Sequence, residues 1–251
     1  MMKRTVPYLL AILFTLLFPL GPARAQGAKQ AIFAVLLDNT PALRKRFPQV
    51  QSFGAGVVRR VRRRGPVALF DFARGERDMW GRRLIVSSGA DWGRDEADLS
   101  DYIEDLSVVD GSQADLYGAV GEMVALLDAK AAAEPDAVGD KVIILVTSGL
   151  DTVRRTGDAR NIVSTDVEDN NRKAKNRAVK LARESRVRVY AVGFTRELDT
   201  SSFNTLPGGL SPRGEAEEFL RKLTKETGGR VVFPRAKETE VERVLDELLA
   251  P

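Results

Sequence analysis

The chain has 251 residues, 43% of them hydrophobic and 29% charged, which suits a globular domain and excludes a disordered or wholly membrane-embedded chain. It contains no cysteine and no histidine, which excludes disulfides, zinc sites built on those residues and every Ser-His or Cys-His nucleophile. The formal net charge is +4, but Lys3, Arg4 and Arg24 fall in an acid-free leader, so the remainder is close to neutral and no polyanion partner is implied.

Met1–Ala25 has the order of parts of a secretory signal peptide. Lys3 and Arg4 precede the apolar run Val6–Leu20, and Ala23 and Ala25 are the small residues of a cleavage site before Gln26. The run is short for a span of roughly 20 residues, and Pro19 and Pro22 favour an extended segment over a continuing helix. The product is expected to be exported, periplasmic or secreted, with membrane contact only if the leader stays uncleaved. Residues 26–251 carry no repeat or low-complexity linker and read as one domain.

Short apolar runs then alternate with longer amphipathic ones, the pattern of an α/β fold with a mostly parallel sheet and crossover helices. Ala31–Leu37 predicts a buried strand ending in Asp38-Asn39-Thr40-Pro41. A helix is expected to about Arg64, with Val50, Phe53, Gly54, Val57 and Val61 on one face, until Gly65-Pro66 stops it. Val67–Phe72 and Arg82–Ser87 predict a second and a third strand, the latter at an edge. A short helix follows over Asp98–Leu106, then a longer one with Tyr117, Val120, Val124 and Leu127 on one stripe. Lys141–Thr147 is apolar enough for a central strand covered on both faces. A charged helix from about Glu168 to Arg186 precedes the strand Val187–Phe194. Glu215–Thr227 is helical and capped by Gly228-Gly229, Arg230–Phe233 is a short strand, and Glu238–Leu249 closes the chain.

In an open parallel sheet, ligands sit beyond the carboxyl ends of the strands. Asp38, Asn39 and Thr40 follow the first strand, and Ser148 and Asp151 follow the central one. These five residues are the candidate partner-binding rim. The competing role for Asp38 is to cap the helix begun by Pro41.

The ordered set AVLLDNT, VALFDFA, GSQADLYGAV, KVIILVTSGLDT, RVRVYAVGF and FLRKLTKETGGRVVF resembles the von Willebrand factor type A (vWA) domain, exported bacterial type, from Ile32 to Leu249. The resemblance implies a Rossmann-like, doubly wound sheet flanked by helices. It also implies a cation site on three loops, supplied by Asp-x-Ser-x-Ser, a Thr and an Asp. Here Asp38 and Thr40 keep an oxygen, whereas Ala42, Ala114 and Ser148 stand at the other three positions. One carboxylate is little to offset a double positive charge, and Mg²⁺ gives up its waters reluctantly. The implied site is therefore degenerate and no cofactor is expected. Mg²⁺ or Mn²⁺ on Asp38 and Thr40 is the alternative, with Asp115 and Asp151 as neighbouring acids.

Other signals have plainer explanations. Arg59, Arg60, Arg62, Arg63 and Arg64 end a helix, where cations complement the dipole, and no nucleic acid is expected. Trp80 and Trp92 are expected to pack on a sheet edge, and Asp199–Pro212 is a long irregular loop. The favoured function is a non-enzymatic, exported adhesion or scaffold domain that binds another protein, in the cell envelope, without metal. The alternative enzyme is a phosphoryl hydrolase with Asp38 as nucleophile. It needs a second acid where Thr40 stands and acids near Ser148.

Overall fold

The computed structural model describes residues 29–71, 73–74, 92, 95–110, 113–151, 164–200, 211–235 and 241–249. Their main sheet has five parallel strands in the order β2-β1-β5-β6-β7, with β1 Gln30–Leu37, β2 Val67–Asp71, β5 Val138–Thr147, β6 Val187–Gly193 and β7 Val231–Val232. The helices are α1 Phe47–Val61, α2 Glu96–Asp105, α3 Leu116–Ala133, α4 Ser164–Glu184, α5 Pro212–Glu226 and α6 Val241–Leu249. Short 3-10 turns at Pro41–Arg46 and Thr195–Thr200 follow β1 and β6.

Alternation along each strand divides the apolar residues between two layers. Ile32, Ala34 and Leu36 of β1, with Ile143 and Leu145 of β5, pack under α3, α4 and α5. Phe33, Val35 and Leu37, with Val142, Ile144 and Val146, pack under α1, α2 and α6. Covering both faces requires the nearly unbroken apolar runs that mark β1 and β5. Edge-to-face ring pairs anchor each layer, Tyr117 with Phe219 at 4.6 Å and Phe53 with Phe194 at 5.6 Å. The helix stripes read from the sequence are buried: Val50, Phe53, Val57 and Val61 on α1, and Tyr117, Val120, Val124 and Leu127 on α3.

The single helix expected from Pro41 to Arg64 is corrected to a 3-10 turn followed by α1. Pro48 is the cause. It has no N–H to donate and its ring crowds the carbonyl four residues back, so it is tolerated only in the first turn of α1. Strand β5 begins three residues earlier than its apolar run, because Val138, Gly139 and Asp140 extend the ladder beside Gln30. A two-stranded antiparallel pair, β3 Ala73–Arg74 with β4 Gln113–Ala114, has no signal in the sequence. Trp92 packs against the α3 layer. The expected strand Arg82–Ser87, Trp80, and most of the loop 199–212 lie outside the described residues.

The winding reverses at β1. The chain moves to one side for β2 and to the other for β5, β6 and β7, so the crevice of this fold opens between β1 and β5. Register brings Leu37 level with Val146 and with Asp71, which places Asp38, Asp71 and Ser148 at one end of the sheet.

Candidate functional site

Asp38 continues β1 by one residue, its N–H donating to Val146 O at 2.9 Å, and its side chain is fully buried. Five donors reach this one carboxylate. The Thr40 N–H at 3.0 Å and hydroxyl at 2.6 Å donate to Oδ1. The Thr147 hydroxyl at 3.0 Å, the Ser148 N–H at 2.9 Å and the Ser148 hydroxyl at 2.8 Å donate to Oδ2. A carboxylate offers about four lone-pair sites, so both oxygens are committed to their own chain.

The donors are themselves held in place. Thr147 Oγ1 accepts from the Gly149 N–H at 3.0 Å, the side-chain-to-backbone closure typical of Ser and Thr turns. Gly149 adopts φ +77°, and a Cβ there would stand 3.0 Å from Ala216 Cβ and Leu220 Cδ1. The β5 loop therefore needs glycine twice over, for its dihedral and for the closeness of α5.

A second network lies beside the first. Asn39 Nδ2 donates to Asp71 Oδ2 at 2.7 Å, and the Tyr102 hydroxyl donates to Asp71 Oδ1 at 2.5 Å. Burial pushes the Asp71 carboxyl above its ordinary range, against the pull of the Tyr102 and Asn39 hydrogen bonds. Asn39 Oδ1 is buried and has no hydrogen-bond partner among the described residues. Neither Asp38 nor Asp71 is ion-paired there, so hydrogen bonds carry their desolvation.

Asp115 and Asp151 serve the start of α3. Asp115 Oδ1 accepts from the Gly118 N–H at 3.1 Å, and Asp151 Oδ2 accepts from the Tyr117 N–H at 3.0 Å. Acids there satisfy orphan donors and complement the helix dipole.

The five rim residues thus gather at one end of the sheet, but an open rim is corrected to an inward-facing set. Asp38, Asn39, Thr40, Ser148 and Asp151 are all buried, and they take partners from one another's loops, from Asp71 and from the start of α3. The helix-cap role for Asp38 is corrected as well: its bonds go to Thr40 and to the β5 loop, and the 3-10 turn has no side-chain cap. At the surface of this end stand Val109, 37% exposed, and the ion pair of Arg44 with Asp110. The Val109 N–H donates to Asn39 O at 3.0 Å, which fixes it beside the buried networks. Sequence reasoning missed Asp71, Tyr102, Thr147 and Val109. An acid inside the apolar run VALFD is the one signal that marks this network.

Of the remaining positions in the cation pattern, Ala42 packs against Leu150, Leu198 and Ala216, and Ala114 belongs to the core layer under α3. Neither offers a donor atom. Among the described residues no group of three or more acids is placed to hold a metal ion.

No family model matches this sequence, and the comparison with curated proteins gives no match. Solved structures do match. An aerotolerance-related membrane protein from Bacteroides fragilis NCTC 9343 superposes with a TM-score of 0.52 at 13% identity, over 87% of this chain and 98% of that one. The pilus adhesin SpaC from Lactobacillus rhamnosus GG, in its open conformation, gives 0.60 at 13% identity, over 88% of this chain and 30% of that one.

The chain has a vWA-like fold. At the carboxyl end of its sheet lie the Asp38 and Asp71 networks.

Proposed function

We propose that the protein is an exported, non-enzymatic recognition module that binds another protein of the cell envelope through the carboxyl-end loops of its vWA-like sheet, without a bound cation. The observation that carries this reading is the saturation of Asp38: both oxygens are taken by Thr40, Thr147 and Ser148, and none is turned outward. A divalent ion would have to displace several of these bonds and find its other ligands at Ala42 and Ala114. The same saturation argues against Asp38 as a nucleophile, since a committed, buried carboxylate meets no substrate. The adhesin likeness supports a binding role, and the leader supports export.

On this reading Val109 is a contact residue and the Asp38 network is the scaffold that fixes the loops around it. Capture of envelope protein by the immobilised protein is expected to be equal in EDTA and in Mg²⁺, and to be lost in Val109→Asp. Capture that requires Mg²⁺ overturns metal independence, and Asp38-dependent turnover of an aryl phosphate overturns the non-enzymatic reading.

A further inference from the structure

Among the described residues the sheet ends at β7, which has no strand on its outer side. Parallel pairing gives its direction. Ala191 N–H donates to Arg230 O at 2.9 Å, and the register sets Ala191 opposite Val231. In a parallel ladder one residue bonds the two that flank its opposite number, so Arg230 and Val232 face β6. The N–H and C=O of Val231 therefore point off the edge of the sheet.

An open groove of about 660 Å³ lies along this edge. It is lined from α5 by Arg221 and Lys225, from the edge itself by Arg230, Val231 and Val232, and from α6 by Glu247. Helices α5 and α6 cover opposite faces of the sheet, so a groove that touches both straddles the edge strand. Arg221, Lys225 and Arg230 bring three cations to these walls, against Glu247 and against Glu217, which lies 3.7 Å from Arg221; Arg230 also donates to Glu247 O at 3.4 Å, and the walls keep a net positive charge. The guanidinium of Arg221 is stacked 4.6 Å over the Phe233 ring, which fixes one of the three charges beside the edge.

We propose that this edge is a docking groove for an extended, acidic segment of a partner protein, which adds to β7 as a further strand. Main-chain bonds to Val231 would supply the pairing, and Arg221, Lys225 and Arg230 would select acidic side chains. The shortness of β7 and the proline at position 234 limit pairing to a few residues, so indiscriminate edge-to-edge association is blunted while a short charged segment is still accepted. The groove is separate from the carboxyl-end loops, and the inference stands whether or not those loops bind a protein.

The test is fluorescence anisotropy of the purified protein with a short labelled peptide of alternating glutamate and valine. Two controls accompany it, a lysine-valine peptide and a glutamate-valine peptide N-methylated at alternate residues. The acidic peptide is expected to bind, with affinity falling as salt rises, and both controls are expected to bind at least ~10-fold more weakly. Val231→Pro removes the outward N–H together with the Val231 side chain's packing on the core, and Lys225→Glu reverses one wall charge. Each is expected to weaken the acidic peptide about tenfold with circular dichroism unchanged. Should Val231→Pro fail to fold, Lys225→Glu and the N-methylated peptide still decide. Absence of binding, equal binding of the N-methylated peptide, or equal binding of the lysine peptide overturns the proposal. Tighter binding of an oligonucleotide that is indifferent to Val231→Pro also overturns it, marking a simple anion patch.

Discussion

Ser148 donates twice to Asp38, from its backbone N–H at 2.9 Å and from its hydroxyl at 2.8 Å, and both bonds end on Oδ2. Ser148 thus satisfies the buried carboxylate by hydrogen bonding. The crevice between β1 and β5 is closed by the protein's own atoms.

Removal of that carboxylate is expected to be costly for folding. Asp38→Ala strands the donors of Thr40, Thr147 and Ser148 in a buried site, and each orphan costs about 1–3 kcal/mol. A loss of roughly 3–5 kcal/mol is expected in urea denaturation, the same in EDTA and in Mg²⁺. Ser148→Ala, which removes one bond of five, is expected to cost about 1 kcal/mol.

Rebuilding the ligand pattern gives the converse. Ala42→Ser, Ala114→Thr and Ser148→Asp together restore hydroxyls and a second acid beside Asp38. The two carboxylates repel without an ion, so the triple variant is expected to melt below the natural protein in EDTA. Mg²⁺ at about 100 times its dissociation constant is expected to return roughly 2.7 kcal/mol. A thermal-shift titration reads both, with the natural protein flat throughout.

Asp71 makes a prediction in pH. Burial raises its carboxyl, so the folded state favours the protonated form. Its stabilising contribution is complete below the ordinary carboxylate pKa of about 4 and is lost as pH rises through the raised value. Asn at this position keeps an acceptor for Tyr102 and cannot ionise. The midpoint of the natural protein minus that of Asp71→Asn is expected to fall as pH rises from about 4 to 7. A flat difference shows that Asp71 is already ionised across this range.

Two glycines with the same backbone sign separate dihedral strain from packing. Gly149 and Gly228 have φ +77° and +73°, but a Cβ at Gly228 meets nothing within 4 Å whereas one at Gly149 meets α5. Gly228→Ala is expected to cost about 1 kcal/mol, the left-handed penalty alone. Gly149→Ala is expected to cost about 2 kcal/mol or more, because Ala216 and Leu220 must also move.

The elements with strong patterns were legible in the sequence. Lys141–Thr147 declared itself by an unbroken apolar run, and the α1 and α3 stripes by their spacing, since burial on two faces or on one dictates those periods. What escaped was decided by contacts across the chain. Asp71 and Tyr102 stand 31 residues apart and meet only because α2 packs on α1 over the same face of the sheet. The inward turn of Asp38 escaped for the same reason, its partners Thr147 and Ser148 lying at the end of another strand and in the loop after it. Pro48 was visible as a residue, but a neighbouring helical pattern on each side hid the break it makes.

The central position of β1 sets the order of assembly. The strand carrying Asp38 is synthesised first, yet Thr147, which closes on it, lies 109 residues further along the chain. Until β5 has emerged, β1 has only β2 beside it, and two strands are marginal in water. Closing so long a loop is slow relative to local helix formation. The amino-terminal half therefore stays without its tertiary frame while the rest is made.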